Sequence, residues 1–125
     1  MLYLDTHVVV WLFQKDEPRL AGRPRMLIEE HELLISPMVV LELEYLYEIK
    51  KITATGRTVV DDLAERVHLG ICPRAFADVV RKALGIRWTR DPFDRIITAQ
   101  AALGDAMLLT RDGSIHTHYP HAVWQ

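Results

Sequence analysis

The chain has 125 residues, half of them apolar and 26% charged, with a formal net charge of −2. This mix excludes a disordered tail, a collagen-like repeat and a disulfide miniprotein, and it suits one ordinary domain, 1–125, with a buried core. The only cysteine, Cys72, rules out an internal disulfide and makes a reducing, cytoplasmic setting the default expectation.

Met1–Asp5 has neither the basic stretch nor the small-residue cleavage site of a secretion signal, and Leu2–Leu4 within it reads as a short buried strand. Thr6 then opens an apolar helical run to Phe13, far short of the ~20 residues needed to span a bilayer. A helix is expected over Leu20–His31. Leu33–Ile35 reads as a second strand, followed by Ser36-Pro37, an N-cap and a first-turn proline, opening a helix to Ile49. Arg57–His68 reads as helix and Leu69–Ile71 as strand, and Cys72-Pro73 repeats the proline helix start. Asp91-Pro92 opens a helix to about Leu103 that stops at Gly104. Ala106–Leu109 and, more weakly, Ala122–Trp124 complete the strands. Strands alternating with helices predict an α/β fold with a central parallel sheet flanked by helices, whose ligand site lies outside the carboxyl ends of the strands.

Four acids fall where that site should be. Asp5 directly follows the first strand, where it also suits an N-cap or loop role. Glu42 lies inside the edge of the apolar arc formed by Val39, Leu43 and Leu46. A carboxylate there needs a metal or a buried salt bridge to an arginine. Glu44 and Glu48 point to the opposite, wet side as ordinary surface acids. Asp94 is favoured by the helix dipole, yet shares a face with Ile97 and Ala101 and so points inward. Asp91 is explained as the cap. Asp112 precedes Gly113 in a loop after a strand, a common turn pair that is weak by itself. Four convergent carboxylates repel one another unless cations neutralise them, and hard divalent ions such as Mg²⁺ accept oxygen ligands. Such a centre suits phosphodiester hydrolysis. With the four acids set aside, the net charge of −2 becomes +2, compatible with a polyanionic partner.

In order and spacing, Leu4-Asp5-Thr6-His7-Val8, Ser36 to Leu43, Asp91-Pro92-Phe93-Asp94-Arg95-Ile96-Ile97 and Leu109-Thr110-Arg111-Asp112 resemble the four acidic motifs of PIN domains, most of all the VapC-type ribonuclease toxins. The resemblance spans Met1 to Trp124. It implies a PIN-like three-layer fold, dependence on Mg²⁺ or Mn²⁺, and cleavage of single-stranded or structured RNA. It also implies a homodimer and an inhibitory antitoxin that commonly inserts a peptide near the acids. The family's metal-binding and catalytic acids fall on Asp5, Glu42, Asp94 and Asp112, and its strand-end hydroxyl on Thr110. His7 stands where many relatives have Asn, as a site neighbour that could touch substrate or hold Asp5. The implied reaction is in-line attack of an activated water, leaving a 5′-phosphate and a 3′-hydroxyl. Arg90, Arg95 and Arg111, nearest the acids, could position phosphates or simply balance neighbouring carboxylates.

Other patterns carry less. Arg19, Arg23 and Arg25, and the basic run from Arg74 to Arg90, read equally well as solvated helix faces. His116, His118 and His121 could suit a transition metal, but a solvated tail is the simpler reading. Trp88, between Arg87 and Arg90, is a better base-stacking candidate than Trp11 or Trp124, which read as core or dimer-contact aromatics. No phosphate-cradling glycine motif occurs, a phosphotransferase reading lacks the second acid that His7 replaces, and the acidic pair a receiver domain needs, Asp61-Asp62, falls within an expected helix. The rival of another class is a catalytically inactive PIN-like scaffold that binds RNA or a protein partner.

Overall fold

The computed structural model describes residues 1–125, with the expected alternation of strand and helix. The chain runs β1 (Leu2–Leu4), α1 (Thr6–Phe13), α2 (Glu17–Leu20), α3 (Arg23–Glu30), β2 (Leu33–Ile35) and α4 (Pro37–Glu48). It continues through α5 (Gly56–Val67), β3 (Gly70–Ile71), α6 (Phe76–Ala83), α7 (Pro92–Ala102), β4 (Met107–Leu109), α8 (Gly113–His118) and β5 (Ala122–Val123).

All four strand pairings are parallel, in the order β3-β2-β1-β4-β5. Leu2 pairs with Leu33 on one side and Met107 on the other, which places β1 centrally. Helices cover both faces of the sheet, and Leu2, Leu4, Ile35, Leu108 and Leu109 are fully buried. This explains why the strands read as unbroken apolar runs rather than alternating ones. The chain leaves β1 toward β2 and returns on its other side as β4. That reversal opens a crevice at the carboxyl end of β1. No helix is long and apolar enough to cross a membrane.

Local chemistry starts the helices. The side chains of Asp5, Ser36, Thr55, Asp91 and Asp112 each accept a backbone N–H at the start of α1, α4, α5, α7 and α8. Gly56 permits the approach of α4 to α5, since a Cβ there would stand 2.7 Å from the Val40 carbonyl oxygen.

Three expectations are corrected and a fourth is corrected in part. The helix expected over Leu20–His31 is broken into α2 and α3. Gly22 takes a φ of 86°, and Pro24, tolerated at a helix start, would remove an N–H and clash inside a continuous helix. Cys72-Pro73 does not open a helix, because the Cys72 N–H prolongs the sheet ladder to Ile35 O at 2.9 Å and α6 begins only at Phe76. Glu44 is not a free surface acid, because its Oε1 accepts the Gly56 N–H at 3.0 Å where α5 starts. The histidine-rich segment is solvated as expected, with His116, His118 and His121 exposed, but it is not a tail, because α8 carries His116 and His118 and β5 follows it.

Candidate active site

Asp5 ends β1, Glu42 lies on the second turn of α4, Asp94 on the first turn of α7, and Asp112 caps α8 just beyond β4. The structure brings all four into one cleft of about 550 Å³ at the carboxyl end of the sheet, with Thr6, His7 and Asp91 also on its walls.

The threonine hydroxyls organise three of the acids. Asp5, only 4% exposed, is fixed to the sheet by its own N–H, which donates to Leu109 O at 3.1 Å. Its Oδ1 accepts the Thr6 N–H at 2.8 Å and its Oδ2 accepts the Thr110 hydroxyl at 2.7 Å. The same Thr110 oxygen accepts the Asp112 N–H at 3.0 Å, so one buried hydroxyl joins the ends of β1 and β4. The Thr6 hydroxyl donates to Glu42 Oε1. Glu42 thus makes no salt bridge of the kind its inward position suggested; its partner is a hydroxyl on α1. Asp112 Oδ1 accepts the Ile115 N–H at 3.0 Å.

The Asp94 carboxylate accepts no hydrogen bond. Burial first, then the nearby charges of Asp91, Asp5, Asp112 and Glu42, push its pKa up from 3.8 to about 7. Burial also raises Glu42, with Asp5 and Asp91 adding to the rise and the Thr6 hydroxyl opposing it. Each acid makes its neighbour harder to ionise, which a bound cation would reverse. No three or more His, Cys, Asp or Glu side chains stand close enough to hold an ion by direct ligation. The donors on offer are carboxylate and hydroxyl oxygens, which fit a hard divalent cation held through one or two carboxylates and water.

His7 Nε2 accepts the Arg111 N–H at 2.9 Å, which puts the ring proton on Nδ1, 3.7 Å from Asp5 Oδ2. Burial lowers the His7 pKa against the pull of Asp5 and Asp112, so the ring is neutral at pH 7.

The structure parts Arg111 from Arg90 and Arg95, which line one recess. Arg111 lies over Trp11 and Trp124, with ring centroids 5.8 and 5.9 Å away. Arg95 donates to Ala83 O at 3.1 Å, and Arg90 is exposed. None of them is paired with a carboxylate. Trp88 stacks on His118 at 4.8 Å with nearly parallel rings, so one face is already covered. His116 bonds Thr110 O at 2.6 Å and His121 packs edge-on against Tyr119, so the histidines do not converge.

Two cleft residues escaped the sequence reading. Asp91 caps α7, accepting the Phe93 N–H at 2.8 Å, and also lines the cleft. Thr6 reads in sequence only as a helix opener, and its spacing from Glu42 gives no sign of their contact.

A parallel α/β sheet with carboxylates gathered at its central switch point puts the acids where open α/β folds bind their ligands. The PIN domain family model matches residues 2–119, and the chain belongs to that family. It is 32% identical to Ribonuclease VapC22 of Mycobacterium tuberculosis over 128 residues, covering 97% of this chain and 96% of that protein. The fold is shared with VapBC2 from Rickettsia felis, solved bound to a DNA fragment from its promoter. The TM-score is 0.70 at 20% identity, covering 100% of this chain and 98% of that one. It is also shared with a toxin–antitoxin complex from Klebsiella pneumoniae, with a TM-score of 0.68 at 19% identity and coverages of 98% and 96%.

Proposed function

We propose that this chain is a divalent-metal-dependent endoribonuclease, the toxin of a cytoplasmic toxin–antitoxin pair. The observation that carries the reading is the convergence of Asp5, Glu42, Asp94 and Asp112 in one cleft at the sheet's switch point, in a chain 32% identical to a named ribonuclease. One or two of those acids would hold Mg²⁺ or Mn²⁺ directly, and the others would reach the ion through water. The ion supplies positive charge at the phosphate and lowers the pKa of an attacking water.

The chain's own groups prepare the site. Thr110 and the Thr6 N–H hold the two Asp5 oxygens at fixed angles, and the Thr6 hydroxyl does the same for Glu42. Asp94, with a pKa near 7, is partly protonated at neutral pH and releases that proton when positive charge enters the cleft. His7 has its Nε2 committed to the Arg111 N–H, so that nitrogen does not accept a proton from water.

The reading includes a cognate antitoxin, as the VapBC and toxin–antitoxin neighbours suggest. It also includes a homodimer, for which the exposed Leu41, Tyr45 and Ile49 of one helical face and its end offer apolar surface. The test is incubation of antitoxin-free protein with a mixed RNA pool in Mg²⁺, Mn²⁺ or chelator, beside Asp5→Asn. Metal-dependent cleavage that disappears in the variant is expected. Absence of both cleavage and metal uptake by the parent protein would move the assignment to a non-catalytic scaffold.

A further inference from the structure

The start of α7 separates two recesses of opposite sign. On one side, Asp91 and Asp94 line the acid cleft. On the other, Arg87, Thr89, Arg90 and Arg95 enclose a recess of about 260 Å³ with no acidic and no apolar lining residue. Arg90 directly precedes Asp91 and Arg95 directly follows Asp94, so the sign of the surface reverses over a single residue step at each place.

The three guanidinium groups are not balanced from within the chain. The ion pairs between side chains involve Arg19, Arg25, Arg66 and Arg81, and none reaches this recess. Arg87 makes one long contact to Leu84 O at 3.5 Å, and Arg95 spends one nitrogen on Ala83 O. Most of the donors therefore face solvent. Three like charges in one concavity repel, and an anion with several acceptor oxygens relieves them. A phosphate matches the planar guanidinium fork.

The position selects the phosphate's source. An RNA strand with one phosphate at the acid cleft must carry its neighbouring phosphates over the rim, where free carboxylates would repel them. At the start of α7 the rim turns basic instead. Other cations on the cleft are engaged: Arg19 is paired with Asp16 at 3.4 Å and lies over Trp11, which leaves Lys51 as a single free charge. We propose that the Arg87–Arg90–Arg95 recess is a backbone-phosphate subsite for substrate RNA, holding a phosphate that flanks the scissile one and so setting the register of the strand across α7. This deepens, and depends on, the ribonuclease reading.

The test uses the full chain in the cleavage-deficient Asp5→Asn background. Binding of a mixed-sequence single-stranded RNA is measured across salt concentrations, with and without Arg87→Ala/Arg90→Ala. Arg95 is left intact because it also ties α7 to the end of α6. Losing the recess's one phosphate contact should lower the slope of log K against log salt by about 0.7 and weaken binding roughly fourfold near 0.15 M salt. A matched loss of two exposed arginines outside the recess, Arg23→Ala/Arg57→Ala, should change the slope much less. Equal slopes for the two pairs would overturn the subsite, and so would an acidic peptide that occupies the recess while RNA binding ignores it. If the parent protein cleaves RNA but the recess pair leaves the slope unchanged, the subsite alone fails. If the parent neither cleaves nor binds RNA, the ribonuclease reading fails with it.

Discussion

The acid cleft and the basic recess share one helix start and are built in opposite ways. In the cleft, Asp5, Glu42 and Asp112 are each held by a hydroxyl or backbone N–H, and Asp5 is nearly inaccessible. In the recess, Arg87 and Arg90 are exposed and retain their rotamer freedom. The difference teaches where position matters and where charge suffices. Carboxylates that must share a cation need fixed separations, since small misplacements in a reacting site cost large factors in rate. Groups that attract a flexible polyanion work through summed potential and gain little from being locked.

The comparison breaks most visibly at Asp94. Asp94→Asn should reduce metal-dependent RNA cleavage by about 10³-fold or more, since metal-assisted charge stabilisation is worth several kcal/mol. Initial-rate assays at saturating Mn²⁺ check this. A variant cutting at the parental rate would remove Asp94 from the site.

Thr110→Val comes next. The substitution keeps the volume but removes the hydroxyl that joins Asp5 to the Asp112 N–H. Activity should fall about 10–100-fold, as is usual when a group that orients a ligand is lost. Denaturant unfolding should show about 1 kcal/mol of destabilisation from the half-buried Asp112 N–H left without an acceptor.

The third expectation is a pH dependence. Asp94 holds its proton more tightly folded than unfolded, its pKa rising from 3.8 to about 7. The stability this contributes is complete below about pH 4 and is lost as pH rises through 7. Glu42 shifts in the same direction. With solvent screening in an open cleft, the loss should be about 1–2 kcal/mol. In chelator, melting temperature should therefore fall between pH 5 and 7.5, and Asp94→Asn should flatten the fall. The same variant should melt higher than the parent above pH 7 while being inactive, the pattern expected when a site stores repulsion for function.

The smallest effect sharpens the contrast from the basic side. Arg90→Ala should change folding stability by less than about 0.5 kcal/mol, because the exposed side chain holds nothing in place. Chemical denaturation measures it. A loss comparable to that of Thr110→Val would show that the recess is structural.

The legible part of the molecule was written locally. Buried strands appear as apolar runs, and Asp5, Ser36, Asp91 and Asp112 sit where capping chemistry begins helices. The ordered motifs placed Asp5, Glu42, Asp94, Thr110 and Asp112, and the cleft gathers the four acids with Thr110 bonded behind them. What stayed hidden depends on tertiary contact. The Thr6–Glu42 bond spans 36 positions, and the stacking of His118 on Trp88 joins α8 to the α6–α7 connection. Asp91 was hidden for another reason. One sufficient local role, capping α7, masked its second place on the cleft wall.

The central claim, that these carboxylates act together as one cation site, is tested most directly by calorimetric titration of Mn²⁺ into the chelator-treated, antitoxin-free protein at pH 7.5, beside Asp94→Asn. The parent should take up the ion, and the variant should bind at least tenfold more weakly, the low end of what a tuned site loses with one supporting group. Equal uptake by both proteins would contradict the account, because the acid with the most strongly raised pKa would then play no part in holding the ion.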